Sequence, residues 1–323
     1  MNSSGVSNWF KTRVTLNNLF RLFLGQVVSF VLALTSFTSS LIASLGVDAP
    51  ITQTSFTYFT LAVVYGSILL HRGQKLRVPW YWYLALGFVD VQGNYLVNKA
   101  FQFSSITSVT LLDCWTIVWA IILTYIFIGT RYSLWQLGGA ALCVLGLGLV
   151  LLSDAGVGGG GGSKPLLGDT LVIAVTLFFS MSNVGEEFCV KKKDRVEVVS
   201  MIGLYGLLVS GVELYPISAC LDYIRAKELG ICNVVCKYIC FQMLALAVYT
   251  LSTFLFYTRT PFVLKLSGAT MFNLSLLTSD MWAVVVQILF YRQKVDWLYF
   301  VAFGLVVIGL VIYSTTKGEG CCP

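Results

Sequence analysis

The sequence predicts an all-α membrane protein with ten transmembrane helices arranged as two inverted five-helix repeats. Three observations predict it: the composition, the number of long apolar stretches, and a similarity between the two halves of the chain. Of 323 residues, 57% are hydrophobic and 11% are charged, whereas an average soluble domain has about 25% charged residues. The mean hydropathy is +0.81. Because lipid cannot pair with backbone polar groups, apolar runs of about 20 residues indicate membrane-spanning helices.

Ten stretches of the chain meet this description. The first half contains spans near residues 22–45, 51–70, 80–101, 106–128 and 134–152. The second half contains spans near residues 168–190, 199–217, 238–257, 263–290 and 298–313, of which 238–257 is the weakest.

The two halves repeat a common pattern at an offset of about 161 positions. An apolar segment runs from Ser108 to Arg131 and is followed by Trp135 and a glycine-rich run; a similar segment from Ala269 to Arg292 is followed by Trp297. An odd number of spans per half makes the second copy cross the membrane in the opposite direction. Inverted repeats of this kind are typical of secondary transporters that expose a central site alternately to the two sides.

This organisation divides the chain into five parts. They are a cytoplasmic N-terminal tail (1–21), a first repeat (22–153), a glycine-rich linker (154–167), a second repeat (168–314) and a cytoplasmic tail (315–323). Fourteen of the 21 Lys and Arg residues lie on the side of the N-terminus and seven on the other, which predicts that both termini are cytoplasmic. We therefore interpret the net charge of +6 as a topological signal and expect no nucleic-acid partner.

Ionisable side chains within apolar spans are costly and mark functional sites. Here they are mostly acidic, and helical spacing places amides and carboxylates on shared faces: Asn94 follows Asp90 by four residues, and Glu187 follows Asn183 by four. A carboxyl group buried without a cation can hold a proton, so proton coupling or exchange is one expectation. We predict that a substrate or proton site in a central cavity is formed by Asp90, Asn94, Asp113, Asn183, Glu187, Asn273 and Asp280.

A simpler interpretation remains open for several of these groups. Hydroxyl and amide side chains, such as Gln26 and Ser29 on the first span, also hold membrane helices together by hydrogen bonds. Glu186 and Glu187 precede three lysines at 191–193, so a structural ion pair at the membrane edge is an alternative to a substrate role.

The sequence contains no catalytic set and no ligand set for a metal. It has a single histidine, no Ser/His pair and no CxxC pair, so we expect neither an enzyme nor a cofactor.

Several motifs resemble the solute carrier family 35 member F group. They are the segments at residues 90–95 (DVQGNY), 107–114 (TSVTLLDC), 182–187 (SNVGEE), 267–270 (SGAT) and 273–280 (NLSLLTSD). The resemblance covers most of the chain and implies the drug/metabolite transporter superfamily, with ten helices in two inverted repeats around a central substrate cavity. It weakens between residues 216 and 250, and Thr258, Arg259 and Thr260 are polar where the pattern is apolar.

The substrate class follows from charge. Nucleotide-sugar carriers need cationic groups for a diphosphate, whereas the cavity candidates here are carboxylates, so we expect a small neutral or cationic metabolite, with nucleobase-like compounds included. A nucleotide-sugar transporter and a non-transporting scaffold or receptor are the alternatives. The expected partners are this small molecule and the lipid bilayer. A homodimer is left open, as is the choice between the plasma membrane and an endomembrane such as the Golgi or the endosome.

Overall fold

The computed structural model describes residues 16–44, 50–73, 79–103, 112–113, 115–155, 165–192, 194–225, 233–279, 281–282 and 297–316. Within these ranges the regular secondary structure is helical. The helices are α1 (Leu16–Ser44), α2 (Pro50–Arg72), α3 (Trp80–Phe103), α4 (Trp115–Leu123, continued by a π-helical turn at Thr124–Ile128), α5 (Leu134–Ala155), α6 (Pro165–Lys192), α7 (Arg195–Arg225), α8 (Asn233–Leu276) and α9 (Trp297–Thr315).

The helices have the length and the surface that a bilayer requires. Four described segments are long and apolar enough to cross a membrane, namely Asn18–Ser39, Thr52–Arg72, Thr170–Lys192 and Arg195–Val212. Large apolar side chains such as Phe23, Phe127 and Phe300 lie exposed on the outside of the bundle. This surface is suited to lipid, because only hydrocarbon makes such exposure favourable.

The main helix pairs each join one helix from the first half of the chain to one from the second. α1 packs along α8, α2 along α7, α3 along α6, and α5 along α9. The largest buried cluster lies among α1, α2, α3, α6, α7 and α8 and includes Val28, Tyr58, Tyr83, Val190 and Phe272. A second cluster joins α4, α5, α8 and α9. The two halves therefore form one interlocked bundle with a shared interior.

Small residues allow the closest of these approaches. A Cβ atom placed on Gly309 of α9 would lie 2.6 Å from the carbonyl oxygen of Gly139 on α5, and one on Gly203 of α7 would lie 2.6 Å from the backbone nitrogen of Ala62 on α2. Close backbone packing through small residues is a main source of attraction between helices in membranes.

The structure corrects the predicted boundary between the eighth and ninth spans. The sequence placed that boundary at residues 258–262, but α8 is helical through Pro261 and breaks only at Gly268, where φ is 80° and ψ is 164°. The polar residues fit within the helix because the hydroxyls of Thr258 and Thr260 donate to carbonyls one turn earlier, at Phe254 and Phe256. The described residues of the weakly matching stretch, 216–225 and 233–250, are also helical and belong to α7 and α8.

We predict that Gly268→Ala destabilises the protein by roughly 1–3 kcal/mol, because this backbone conformation is almost confined to glycine. The added Cβ would also lie 3.1 Å from Oε1 of the buried Glu187. Thermal unfolding of the purified protein measures the effect.

The matched control is Gly304→Ala, because a Cβ at Gly304 meets no atom within 4 Å. It should leave the unfolding temperature unchanged or raise it. Equal melting of the two variants would contradict the assignment of Gly268 as an obligatory break.

Candidate functional site

Four polar side chains on α6 organise the interior of the bundle. Ser182 and Glu186 lie on one face of the helix and Asn183 and Glu187 on the adjacent face, because residues four apart stack above one another. α6 packs against α3, α4 and α8, so each face meets a different set of helices. The two faces carry two separate polar groupings.

The first grouping, which we call the aspartate cluster, surrounds the Asp90 carboxyl group on α3. The hydroxyls of Tyr58 on α2 and Tyr257 on α8 both donate to Asp90 Oδ2 at 2.6 Å, and the hydroxyl of Ser182 donates to Oδ1 at 3.1 Å. Asn94 Nδ2 donates to the Tyr58 hydroxyl at 3.3 Å. Asp90 is 7% exposed, and its carboxyl group thus joins four helices.

Glu186 lies next to this cluster. Its side chain is 3% exposed, and its Oε1 atom has no hydrogen-bond partner in the described part of the chain. Ser182, one turn before Glu186 on α6, bonds to Asp90, so the Glu186 side chain is on the face of α6 that contacts Asp90. The expected ion pair with the lysines after it is not formed by the described residues, so Glu186 differs from its neighbour Glu187.

The second grouping, the amide pair, consists of Asn183 on α6 and Asn273 on α8. Asn183 Nδ2 donates to Asn273 Oδ1 at 2.7 Å, across 90 positions of sequence. Asn273 is buried, and its Nδ2 atom has no partner among the described residues. One amide donor in the interior is therefore unused.

Glu187 closes the break in α8. Its Oε2 atom accepts the backbone N–H of Ala269 at 2.6 Å, and its Oε1 atom accepts a hydrogen bond from Lys191, with which it forms an ion pair. The carboxylate thus caps the new helical segment that starts after Gly268, where a negative charge is favourable. This confirms the expected ion pair and adds a capping role that the sequence did not indicate.

A further set of hydrogen bonds lies beside this cap. The Tyr132 hydroxyl forms a hydrogen bond with Thr124, at the π-helical end of α4. It forms a second one with Thr270 Oγ1, and the Tyr132 and Thr270 oxygens are 2.6 Å apart. Together with the Glu187 cap, it connects α4, α6 and the segment after Gly268. We call these bonds the end latch.

α1 contacts the same segment at a different point. Gln26 Oε1 accepts hydrogen bonds from Thr278 Oγ1 at 3.1 Å and from Trp282 Nε1 at 3.2 Å, and Ser29 bonds to Thr278 at 2.7 Å. Gln26 and Ser29 of the first span therefore form hydrogen bonds to another part of the bundle, as the simpler interpretation of these side chains expects.

The remaining predicted residues lie elsewhere. Asp113 is exposed and accepts a hydrogen bond from Thr116 Oγ1 at 3.1 Å, and no described contact joins it to the aspartate cluster or the amide pair. Asp280 lies outside the described residues. Within the described ranges, no group of three His, Cys, Asp or Glu side chains could hold a metal ion.

Sequence reasoning did not select Tyr58, Tyr257 or Ser182 for the site. Tyrosines within apolar spans are usually packing residues, and no spacing rule links Tyr58 to a partner 199 positions away. The sequence offered one signal for these residues: each carries a hydroxyl group, and a carboxylate predicted to lie in the interior, such as Asp90, needs hydrogen-bond donors.

Comparison with known proteins identifies the family. The family model SLC35F, described as solute carrier family 35, matches residues 14–315. The chain belongs to this family. Its relatives include solute carrier family 35 member F2 of Mus musculus, 31% identical over 91% of this chain and 78% of the relative, and that of Xenopus tropicalis, 30% identical over 91% and 76%.

Two further comparisons agree. An uncharacterised solute carrier family 35 member of Schizosaccharomyces pombe is 33% identical over 90% of this chain, which spans only 57% of that relative. A solved crystal structure has the same fold, with a TM-score of 0.66 at 17% identity, over 91% of this chain and 97% of the other. The protein is thus an integral membrane solute carrier, and its family points to transport rather than catalysis.

We predict that Tyr257→Phe lowers the free energy of unfolding by roughly 0.6 kcal/mol, the average measured for hydrogen bonds between membrane helices, and by no more than about 1.7 kcal/mol, the largest value measured. The substitution removes one of the two hydroxyls on Asp90 Oδ2 and leaves the ring packing in place. Unfolding by denaturant in detergent measures the difference.

Tyr125→Phe is the control, because Tyr125 is 60% exposed on the outside of the bundle and should tolerate the change. A loss of stability in the control equal to that of Tyr257→Phe would contradict the role given to the aspartate cluster.

Proposed function

We propose that this solute carrier is a secondary transporter that moves a small neutral or cationic organic metabolite, nucleobase-like compounds included, by alternating access. The observation that carries the proposal is the amide pair. Asn273 has a buried amide donor without a partner in the described chain, and such a group is costly. A substrate with a carbonyl or ring-nitrogen acceptor, bound between α6 and α8, would satisfy it.

The pattern of helix pairs supports two equivalent halves. If the first half contributes spans one to five and the second six to ten, α8 contains the eighth span and, after Gly268, the start of the ninth. Exchanging the halves puts span six in the place of span one, span seven in that of span two and span three in that of span eight. The pair α1 and α8 then becomes the pair α6 and α3, and the pair α2 and α7 stays the same pair. All three pairs pack together. Such exchange is what alternating access between inverted repeats requires.

The end latch supports closure at one end of the bundle. The bonds from Tyr132 to Thr270 and from Glu187 to the Ala269 N–H hold α4 and α6 against the segment after Gly268. Opening that end would require these bonds to break. Each is a single hydrogen bond, worth about 1 kcal/mol in a membrane protein, so opening at this end is energetically accessible.

The charge of the interior favours neutral or cationic substrates. Asp90 and Glu186 are buried, and no described basic side chain bonds to either. The described ion pairs, Lys191 with Glu187 and Arg72 with Asp194, have cations that are 43% and 45% exposed. A nucleotide diphosphate would need cationic donors in the site, so nucleotide sugars fit this interior less well.

A thermal-shift screen of the purified protein tests the proposal. The panel contains nucleobases, nucleosides, organic cations and nucleotide sugars, each applied to the wild type and to Asn273→Ala. A ligand at a hundred times its dissociation constant should stabilise the protein by about 2.7 kcal/mol. We expect stabilisation by a neutral or cationic compound, and loss of that stabilisation in the variant.

The control variant is Ser67→Ala, because the Ser67 hydroxyl is on the exposed side of α2 and bonds only within its own helix. It should bind the same compounds as the wild type. Stabilisation by nucleotide sugars alone would contradict the proposed substrate class. A stable protein with no ligand in the panel would favour the scaffold or receptor alternative.

A further inference from the structure

We propose that Asp90 and Glu186 form a proton-binding site that holds one proton between the two carboxyl groups, with the proton on Glu186 in this conformation. The use of that proton as the coupling ion of transport rests on the proposed function. The presence of the proton does not, because it follows from the burial of the two carboxyl groups and from the hydrogen bonds that only Asp90 receives.

Asp90 is the carboxyl group of the pair that carries the negative charge. It accepts three hydrogen bonds, from the hydroxyls of Tyr58, Tyr257 and Ser182, and hydrogen bonds to the charged form of a carboxyl group stabilise that form. Because two hydroxyls already bond to Oδ2, this oxygen has little capacity left for a metal ion. A proton on the neighbouring carboxyl group is the better match.

Glu186 is the opposite case. It is as buried as Asp90, yet its Oε1 atom meets no donor in the described part of the chain. A buried carboxylate without a donor or a cation is strongly disfavoured. Asp90 places a second carboxyl group on the same face of α6, where Ser182 contacts it one turn before Glu186. Two carboxyl groups in this relation retain one proton and titrate as a pair.

The titratable groups around the pair lie on α2, α3, α6, α7 and α8. Tyr58 faces Asp90 from α2 and Tyr257 faces it from α8. On the Glu186 side, Cys189 follows Glu186 by three residues on α6 and is buried. Glu197 accepts a hydrogen bond from Tyr83 at 3.0 Å.

The lysines that follow Glu186 on α6 contact other side chains. Lys192 lies 3.8 Å above the ring of Phe188, and Lys191 pairs with Glu187. No described cation therefore bonds to either carboxyl group and replaces the proton.

The site can respond to movement of α6. Ser182 and Glu186 are on the same face of α6, whereas Asp90 and the two tyrosines are on three other helices. A shift of α6 relative to α3 would remove the Ser182 donor from Asp90 and change the separation of the carboxyl groups. Both changes alter which group holds the proton and whether it is retained.

Infrared difference spectroscopy on the full chain in lipid tests this directly. A protonated carboxylic acid has a C=O stretching band that a carboxylate lacks. We expect the wild type to show such a band near neutral pH and to lose it on alkalinisation, and Glu186→Gln to lack that component. In Asp90→Asn, the loss of repulsion should move the midpoint of the titration to lower pH by about one unit or more.

Glu197→Gln is the matched control, because Glu197 is also a buried glutamate but accepts a hydrogen bond from the Tyr83 hydroxyl. The spectrum of this variant should retain the band. An identical band in the wild type and Glu186→Gln would overturn the proposal. So would an unshifted titration in Asp90→Asn, which remains measurable if Glu186→Gln does not fold. Neither result depends on finding a transported substrate, so failure here is separate from failure of the proposed function.

Discussion

The hydrogen bonds made by residues 182–187 of α6 hold the interior of this bundle together. Ser182 reaches Asp90, Asn183 reaches Asn273, and Glu187 caps the helical segment that follows Gly268. Each bond crosses from α6 to another helix, and in lipid no water can replace a lost partner. The positions of α3 and of the part of α8 after Gly268 therefore depend on about one turn and a half of a single helix.

The bundle has an apolar outside and a polar interior in which only some of the polar groups have hydrogen-bond partners among the described residues. Asp90 and Glu187 have several hydrogen-bond partners, whereas Glu186 Oε1 and Asn273 Nδ2 have none in the described chain. The satisfied groups fix the geometry of the helices. The unsatisfied groups lie next to them, where a proton or a substrate atom would complete the bonding. A carrier requires this combination, because an interior in which every polar group already has a hydrogen-bond partner offers no free donor or acceptor to a solute.

The sequence predicted much of this because periodicity reports which residues share a face. The spacings of Asp90 with Asn94 and of Asn183 with Glu187 placed each pair on one side of a helix, and the structure has both pairs in the interior. Periodicity does not report which helix lies opposite. The bonds from Tyr58 and Tyr257 to Asp90 could not be predicted for this reason, since each joins residues far apart in the chain.

The boundary error in α8 has a similar origin. A proline next to polar residues normally ends a helix, but the threonine hydroxyls bond within α8, and the break occurs at Gly268 instead.

We propose that the chain moves a neutral or cationic solute through the site of Asn183 and Asn273. The most direct test is uptake by proteoliposomes incubated with a mixture of nucleobases, nucleosides, organic cations and nucleotide sugars, with the internal solutes identified by mass spectrometry. We expect saturable uptake of at least one neutral or cationic compound by the wild type, and loss of that uptake in Asn273→Ala. Uptake no greater than that of empty liposomes, or uptake of nucleotide sugars alone, would contradict the account.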